Sequence, residues 1–305
     1  ETLDYSNSIK CLIRVLKAHP NFYSILIRLI EICLRAGKLN IVAKRITKDT
    51  APGMIFANAL YLKYTSRYIE AIELFQKIEN DHVWGNSAKL EIIKILINPE
   101  RKYIWCTDGP LTNEEDLIRA SAMIDAMSKP KKSNKKMSVK EVNFDIDPIN
   151  KVILQAEIES SRNTTTSVSS AASLYSSLLD IQKEPEMDQN RNINTDQNQA
   201  NSNATTNTIN NTANNPNSNF IMNKIQRIAG LVGLARCEIR LGNNRSAERL
   251  ISEVIELKPY HETYSLFEEA YLIRGHLYLI ENNFGPAQHF FFMAISVNMS
   301  CKKGW

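Results

Sequence analysis

With 305 residues but only 10 glycines and 10 prolines, the chain is too poor in turn formers for a collagen-like fibre or a turn-rich all-β sandwich or barrel, and it suits long helices. Its formal charge of +4 rests on five lysines (Lys129, Lys131, Lys132, Lys135 and Lys136) in one stretch, KPKKSNKK; without them the balance is −1, which excludes the broad basic face of a nucleic-acid binder. No apolar run reaches the roughly 18 residues that span a bilayer, and no charged-then-apolar leader opens the chain, so it reads as soluble, unsecreted and without direct membrane insertion. The first residue is Glu1 rather than Met, which reads as a fragment or a processed product.

The predicted elements are helices nearly throughout. Leu12, Ile13, Val15 and Leu16 form one apolar stripe, and Ile25, Leu26, Leu29, Ile30, Cys33 and Leu34 form the next. Gly37 follows where a left-handed C-cap is needed. Further helices are expected at about 39–48, 54–65, 68–79, 86–97 and 112–128, the last opening with Thr112 and Glu115 at capping-box spacing. Residues 1–128 therefore read as helical repeats, partly degenerate, and 129–147 as a Lys-rich linker. Helices at about 148–161 and 168–182 make a degenerate repeat over 148–183. Residues 184–219 are rich in Asn and almost devoid of large apolar side chains; they cannot offset their ordering entropy and read as a disordered insertion. Helices at about 220–241, 244–257, 263–282 and 284–297 complete a block of repeats over 220–305.

The spacing within these helices repeats. Ala247, Ile251, Val254 and Pro259 stand at offsets 0, +4, +7 and +12, and Ser8, Leu12, Val15 and Pro20 share them. Ala287, Phe291 and Ala294 follow the same offsets, as do Ala71, Phe75 and Ile78, and Ala171, Tyr175 and Leu178. Twelve residues upstream stands a second small residue, Ala235 or Gly275, and sixteen upstream Leu231 or Tyr271; Tyr278 is counted with these repeat-packing residues. Small residues let two antiparallel helices approach, bulky ones fill the groove beside them, and the Pro stops the second helix. That is the pattern of the tetratricopeptide repeat, whose period is about 34 residues. Tyr271 and Trp305 are one such period apart, so the chain ends inside a further repeat. The fold class is all-α: a tetratricopeptide-type solenoid of helical hairpins with the disordered Asn-rich insertion.

Nothing in this pattern carries chemistry. The five histidines (His19, His82, His261, His276 and His289) lack HExxH or HxH spacing, and His276 and His289 read as a packed or surface pair across one hairpin. The five cysteines form no CxxC and read as reduced, mostly buried thiols. Phosphate loops and a GxSxG elbow are absent, and Glu114, Glu115, Glu268 and Glu269 sit at helix starts where they favour the dipole. The expectation is a non-enzyme without cofactor, metal or small-molecule substrate. The carboxylate-clamp positions of chaperone adaptors carry Ile27 and Glu31, Val232 and Arg236, Leu272 and His276 here, a set that makes no clamp.

Four stretches resemble one family: IRLIEICLRAGKLNIVAKRI (27–46), APGMIFANALYLKYTSRYIEAIELFQKIENDHVWGNSA (51–88), ILINPE (95–100) and FFMAISVNMSCKKGW (291–305). They resemble the C-terminal part of the tetratricopeptide repeat protein 21 family, the large tetratricopeptide subunit of intraflagellar transport complex A. The resemblance covers about 1–128, 148–182 and 220–305, and it departs from the family at the Lys-rich loop and the Asn-rich insertion, the latter pointing to a ciliated protist. It implies a non-catalytic scaffold in retrograde ciliary transport and ciliary membrane-protein trafficking. Its implied partners are other complex A subunits, propeller-plus-solenoid proteins, in the cilium or flagellum and the cytoplasm. The alternative is a generic tetratricopeptide adaptor for a chaperone or ubiquitin-ligase assembly.

Overall fold

A computed structural model describes residues 4–47, 49–97, 112–128, 146–181, 216–257, 259 and 263–301. Among these residues every regular element is a helix. In chain order they are α1 (Tyr5–Ala18), α2 (Tyr23–Arg35), α3 (Asn40–Ala43), α4 (Pro52–Tyr64), α5 (Tyr68–Lys77), α6 (Gly85–Ile97) and α7 (Glu114–Ser128). The second half holds α8 (Pro148–Arg162), α9 (Thr165–Ile181), α10 (Pro216–Arg240), α11 (Asn244–Glu256), α12 (Tyr264–Ile280) and α13 (Phe284–Val297). Neighbours in sequence pack as neighbours in space, giving the all-α tetratricopeptide-type solenoid. The Lys-rich run and the Asn-rich tract up to 215 lie outside the described residues. Helix α10 starts at Pro216 rather than 220, a proline at N1 being pre-set for helix entry.

Two kinds of helix alternate, and composition decides which is which. Helices α4 and α12 are buried on nearly all sides: Met54, Phe56, Ala57, Ala59, Leu60 and Leu62 in one, Phe267, Ala270, Tyr271, Leu272, Ile273 and Leu277 in the other. Helix α11 instead buries a single stripe, Ala247, Ile251 and Val254, and turns its charged residues outward. The first kind fills the interior between neighbours; the second covers one flank. Apolar burial is continuous along the array, from α1 through α4, then α4 to α8, then α8 to α10, then α10 to α13. Each fully buried Leu or Ile contributes about 1.5–3 kcal/mol.

The hairpin turns share one device. At the ends of α2, α4, α10 and α12 the residues Gly37, Ser66, Gly242 and Asn282 adopt φ of +65°, +64°, +81° and +57°. In each, the next N–H reaches the carbonyl five residues back: Lys38 to Cys33, Arg67 to Leu62, Asn243 to Glu238, Asn283 to Tyr278, at 2.8–2.9 Å. This is the Schellman closure, and it reverses the chain within two residues. Ser66 alone has neither glycine's freedom nor asparagine's tolerance of this region. Ser66→Gly should therefore stabilise the protein by about 0.5–1 kcal/mol, read as a higher urea midpoint; a fall in the midpoint would contradict this reading of the turn.

Two local expectations are corrected. Helix α3 spans Asn40–Ala43 only, followed by turns, not 39–48. The first-turn pattern at α7 is also different: the helix opens at Glu114, Asn113 Oδ1 accepts from the Glu115 N–H (3.4 Å), and the Thr112 hydroxyl donates instead to the Ile97 carbonyl at the end of α6. Thr112 thus ties two helices together and forms no capping box.

Candidate interaction surface

The repeat-packing residues fall into three groups. Ala71, Phe75, Ile78, Ala171, Tyr175, Leu178, Leu231, Ala235, Ala247, Ile251, Val254, Tyr271, Gly275, Ala287 and Ala294 are buried. Leu12, Tyr278 and Phe291 are half-buried, Pro20 and Pro259 stand exposed between helices, and Trp305 lies outside the described residues. Ser8 and Val15 correct the register of α1: both are exposed, and Tyr5, Ile9 and Leu16 turn inward instead. The offset template was anchored on a small residue. In α1 the large side chains at i, i+4 and i+7 from Ile9 set the buried face instead.

Close crossings are made by glycine against an aromatic ring. A Cβ on Gly233 of α10 would lie 2.4–2.8 Å from ring atoms of Tyr175 in α9, and one on Gly275 of α12 2.7–3.0 Å from the Phe291 ring of α13. Gly53 receives Tyr23 of α2 in the same way, its Cβ position 2.4 Å from the ring. The Trp84-Gly85 pair has a comparable logic. Trp84 lies tilted against Phe56 (5.2 Å), which meets Phe75 edge-on (5.3 Å), and a side chain at Gly85 would strike the Glu79 carbonyl. Asp81 Oδ1 accepts from the Val83 and Trp84 N–H groups and sets the turn that aims the indole inward.

Polar side chains bridge helices that are not consecutive in sequence. Glu91 of α6 accepts from Lys63 of α4 (2.5 Å) and from Lys94 (2.7 Å). Burial by itself would raise this carboxyl, but Lys94 and Lys63 outweigh it and hold it down at about 2. A depressed carboxylate contributes stability above its ordinary value near 4.5 that is lost as pH falls toward 2. Between pH 5 and pH 2 the wild type should lose up to about 3 kcal/mol more than Glu91→Gln, measured by urea unfolding. Equal pH slopes for the two proteins would contradict the assignment.

A second polar cluster lies between α8, α9, α10 and α12. Arg236 Nη1 stands 3.5 Å from Glu269 Oε1, and Arg240 Nη1 donates to the carbonyl (2.6 Å) and hydroxyl (2.8 Å) of Ser160. Tyr175 OH is buried against this cluster without a hydrogen-bond partner, and burial pushes its phenol far up. Sequence reasoning missed the cluster, placing Arg236 only in a set of helix-face positions that makes no clamp. The signal available was a lone arginine inside LVGLARC, an otherwise apolar run.

None of this is arranged for catalysis or clamping. Val232 and Leu272 are in the core, and Glu31 pairs with Arg28 (3.0 Å), so the three clamp positions do not converge on a carboxylate. Among the described residues no group of His, Cys, Asp and Glu is arranged to hold a metal, and no helix is long and apolar enough to cross a membrane. His19, His82 and His289 are exposed, whereas burial lowers the pKa of half-buried His276. Cys33, Cys237 and Cys301 are buried thiols in no disulfide and Cys11 an exposed one. What remains is surface. A groove of about 470 Å³ runs between α5, α6 and α7, with Ile69, Ile72 and Leu96 beside Glu73, Asp116 and Arg119.

Comparison with known proteins agrees with this architecture. A family profile described as the TT21 fifth ARM repeats domain matches residues 1–97. Tetratricopeptide repeat protein 21B of Xenopus laevis is 26 % identical over 109 residues, 33 % of this chain and 8 % of that protein. Its human counterpart is 32 % identical over 85 residues, 25 % and 6 % of the two chains, and human tetratricopeptide repeat protein 21A is 26 % identical over 99 residues, 30 % and 8 %. The matched part thus spans less than a tenth of these relatives. In solved structures, a tetratricopeptide repeat protein from Parabacteroides merdae superposes with a TM-score of 0.50 at 14 % identity, covering 96 % of this chain and 87 % of that one, which is a likeness of fold. A helical-repeat fold of this kind is that of a scaffold, whose extended faces bind other molecules. Residues 1–97 thus resemble one domain of the tetratricopeptide repeat protein 21 family.

Proposed function

We propose that this chain is part of a non-catalytic scaffold of intraflagellar transport complex A, serving retrograde ciliary transport and ciliary membrane-protein trafficking. Its partners are the other complex A subunits, propeller-plus-solenoid proteins, met in the cilium, at its base and in the cytoplasm. The observation that carries the reading is the match of residues 1–97 to a domain of the tetratricopeptide repeat protein 21 family. A stiff helical array supports it physically: function in such a fold comes from what its extended faces bind. The buried Val232 and Leu272 weigh against a chaperone adaptor, since a carboxylate clamp needs donors presented on those helices.

Capture of the tagged full-length protein from ciliated cells tests this. Recovery of complex A subunits and a signal along the axoneme are expected. Recovery of chaperones alone, or saturable binding of an acidic C-terminal peptide to the chain, would overturn the proposal in favour of the adaptor.

A further inference from the structure

The two ends of the described chain meet, and they meet through helix termini. A helix leaves its last carbonyls for donors outside it. In α2 the turn itself serves Cys33 and Leu34 through the Lys38 and Gly37 N–H groups, and two more donors come from beyond α13: the Met299 N–H donates to the Arg35 carbonyl (2.8 Å) and the Ser300 hydroxyl to the Leu34 carbonyl (2.5 Å). For α13 the donor comes from α1, whose Tyr5 hydroxyl reaches the Val297 carbonyl (2.5 Å) across 292 residues of sequence. The capping is reciprocal. Each end of the array completes the other.

Further contacts surround these three. The Arg35 guanidinium lies 5.3 Å above the Tyr264 ring of α12. Gly37, in its left-handed conformation, leaves room for Met299, whose Cβ is 3.9 Å from where a Gly37 Cβ would stand. The docking turn is also shaped in advance: Asn298 Nδ2 donates to Glu268 (2.9 Å) while its Oδ1 accepts from the Ser300 N–H (3.0 Å). Tyr5 and Cys301 are both buried although they stand near opposite ends of the sequence.

We propose that residues 4–301 form a closed turn of solenoid, latched by the segment Val297–Ser300 against Tyr5 and the end of α2, and that this latch is the conformational device of the array. Among the described residues the seam consists of a few hydrogen bonds and one ring contact, whereas helix pairs within the array such as α12 and α13 share an apolar core. It is therefore the joint that opens first. Opening it changes the curvature of the array without unfolding any hairpin, and a partner that prefers the open or the closed form acts through it. The proposal stands on these contacts and is independent of the ciliary assignment.

The 3.9 Å separation at Gly37 and Met299 lies within the Cβ–Cβ range of a disulfide. The full 305-residue chain carrying Gly37→Cys and Met299→Cys should cross-link within one molecule under mild oxidation. The product runs as a faster monomer on a non-reducing gel, and mass spectrometry maps the bond to those positions. Cross-links only between chains, or none in a folded double variant, would overturn the closure. Because a side chain at Gly37 is strained by its φ, amide exchange of the unsubstituted protein decides where the pair fails to fold. At micromolar concentration the Met299 amide should exchange at least tenfold more slowly than in Tyr5→Phe. An unprotected Met299 amide in the unsubstituted protein, or equal rates in both, would overturn the proposal.

Discussion

Phe75→Ala is expected to cost about 3–5 kcal/mol and to melt the region around α4–α7 before the C-terminal hairpins. Phe75 is fully buried, and its ring meets Phe56, which in turn carries Trp84. Removing it leaves a cavity that three helices border and none can fill, because the ridges on either side are themselves held by Ile92, Leu117 and Ile124. In a solenoid each unit touches only its neighbours, so the loss stays local. Amide exchange should show protection falling in α4–α7 while α11–α13 keep theirs. A uniform, all-or-none loss across the chain would mean that the array is more cooperative than nearest-neighbour packing of its four apolar clusters suggests.

The second large effect concerns charge. Arg236→Met should destabilise the protein by about 3 kcal/mol, at the low end for a buried pair because the Glu269 side chain keeps 26 % of its surface open to water. Glu269 would lose the guanidinium that stands 3.5 Å from it, in a junction where Arg236 also interacts with Glu157 and Tyr175. Adding Glu269→Gln should restore most of the loss, since the cost lies in the stranded charge and not in lost packing. Thermal unfolding of the two proteins checks this. If the double variant is as unstable as the single one, the cluster holds α9, α10 and α12 together by shape alone.

The helical repeats were legible because the hydrophobic period is a local property: residues three and four apart share a face whatever lies opposite. Gly37 could be placed at a helix end for the same reason, since its role depends on its own φ. The register of α1 was not legible. Ser8 and Ile9 both start plausible stripes, and only the neighbour that α1 meets, and the seam that takes Tyr5, choose between them. Thr112 is a similar case, its local capping partner losing to the Ile97 carbonyl brought near by the packing of α6 and α7.

Sequence alone determined that this protein is a chain of helical hairpins with close glycine and alanine crossings and no motif for chemistry, because each of those features is written within a few turns of helix. Tertiary structure alone decided that Arg236 lies inside and that Tyr5 meets Val297. Burial of a charge and closure of an array depend on which surfaces are brought together over two hundred residues, and no local period encodes that distance.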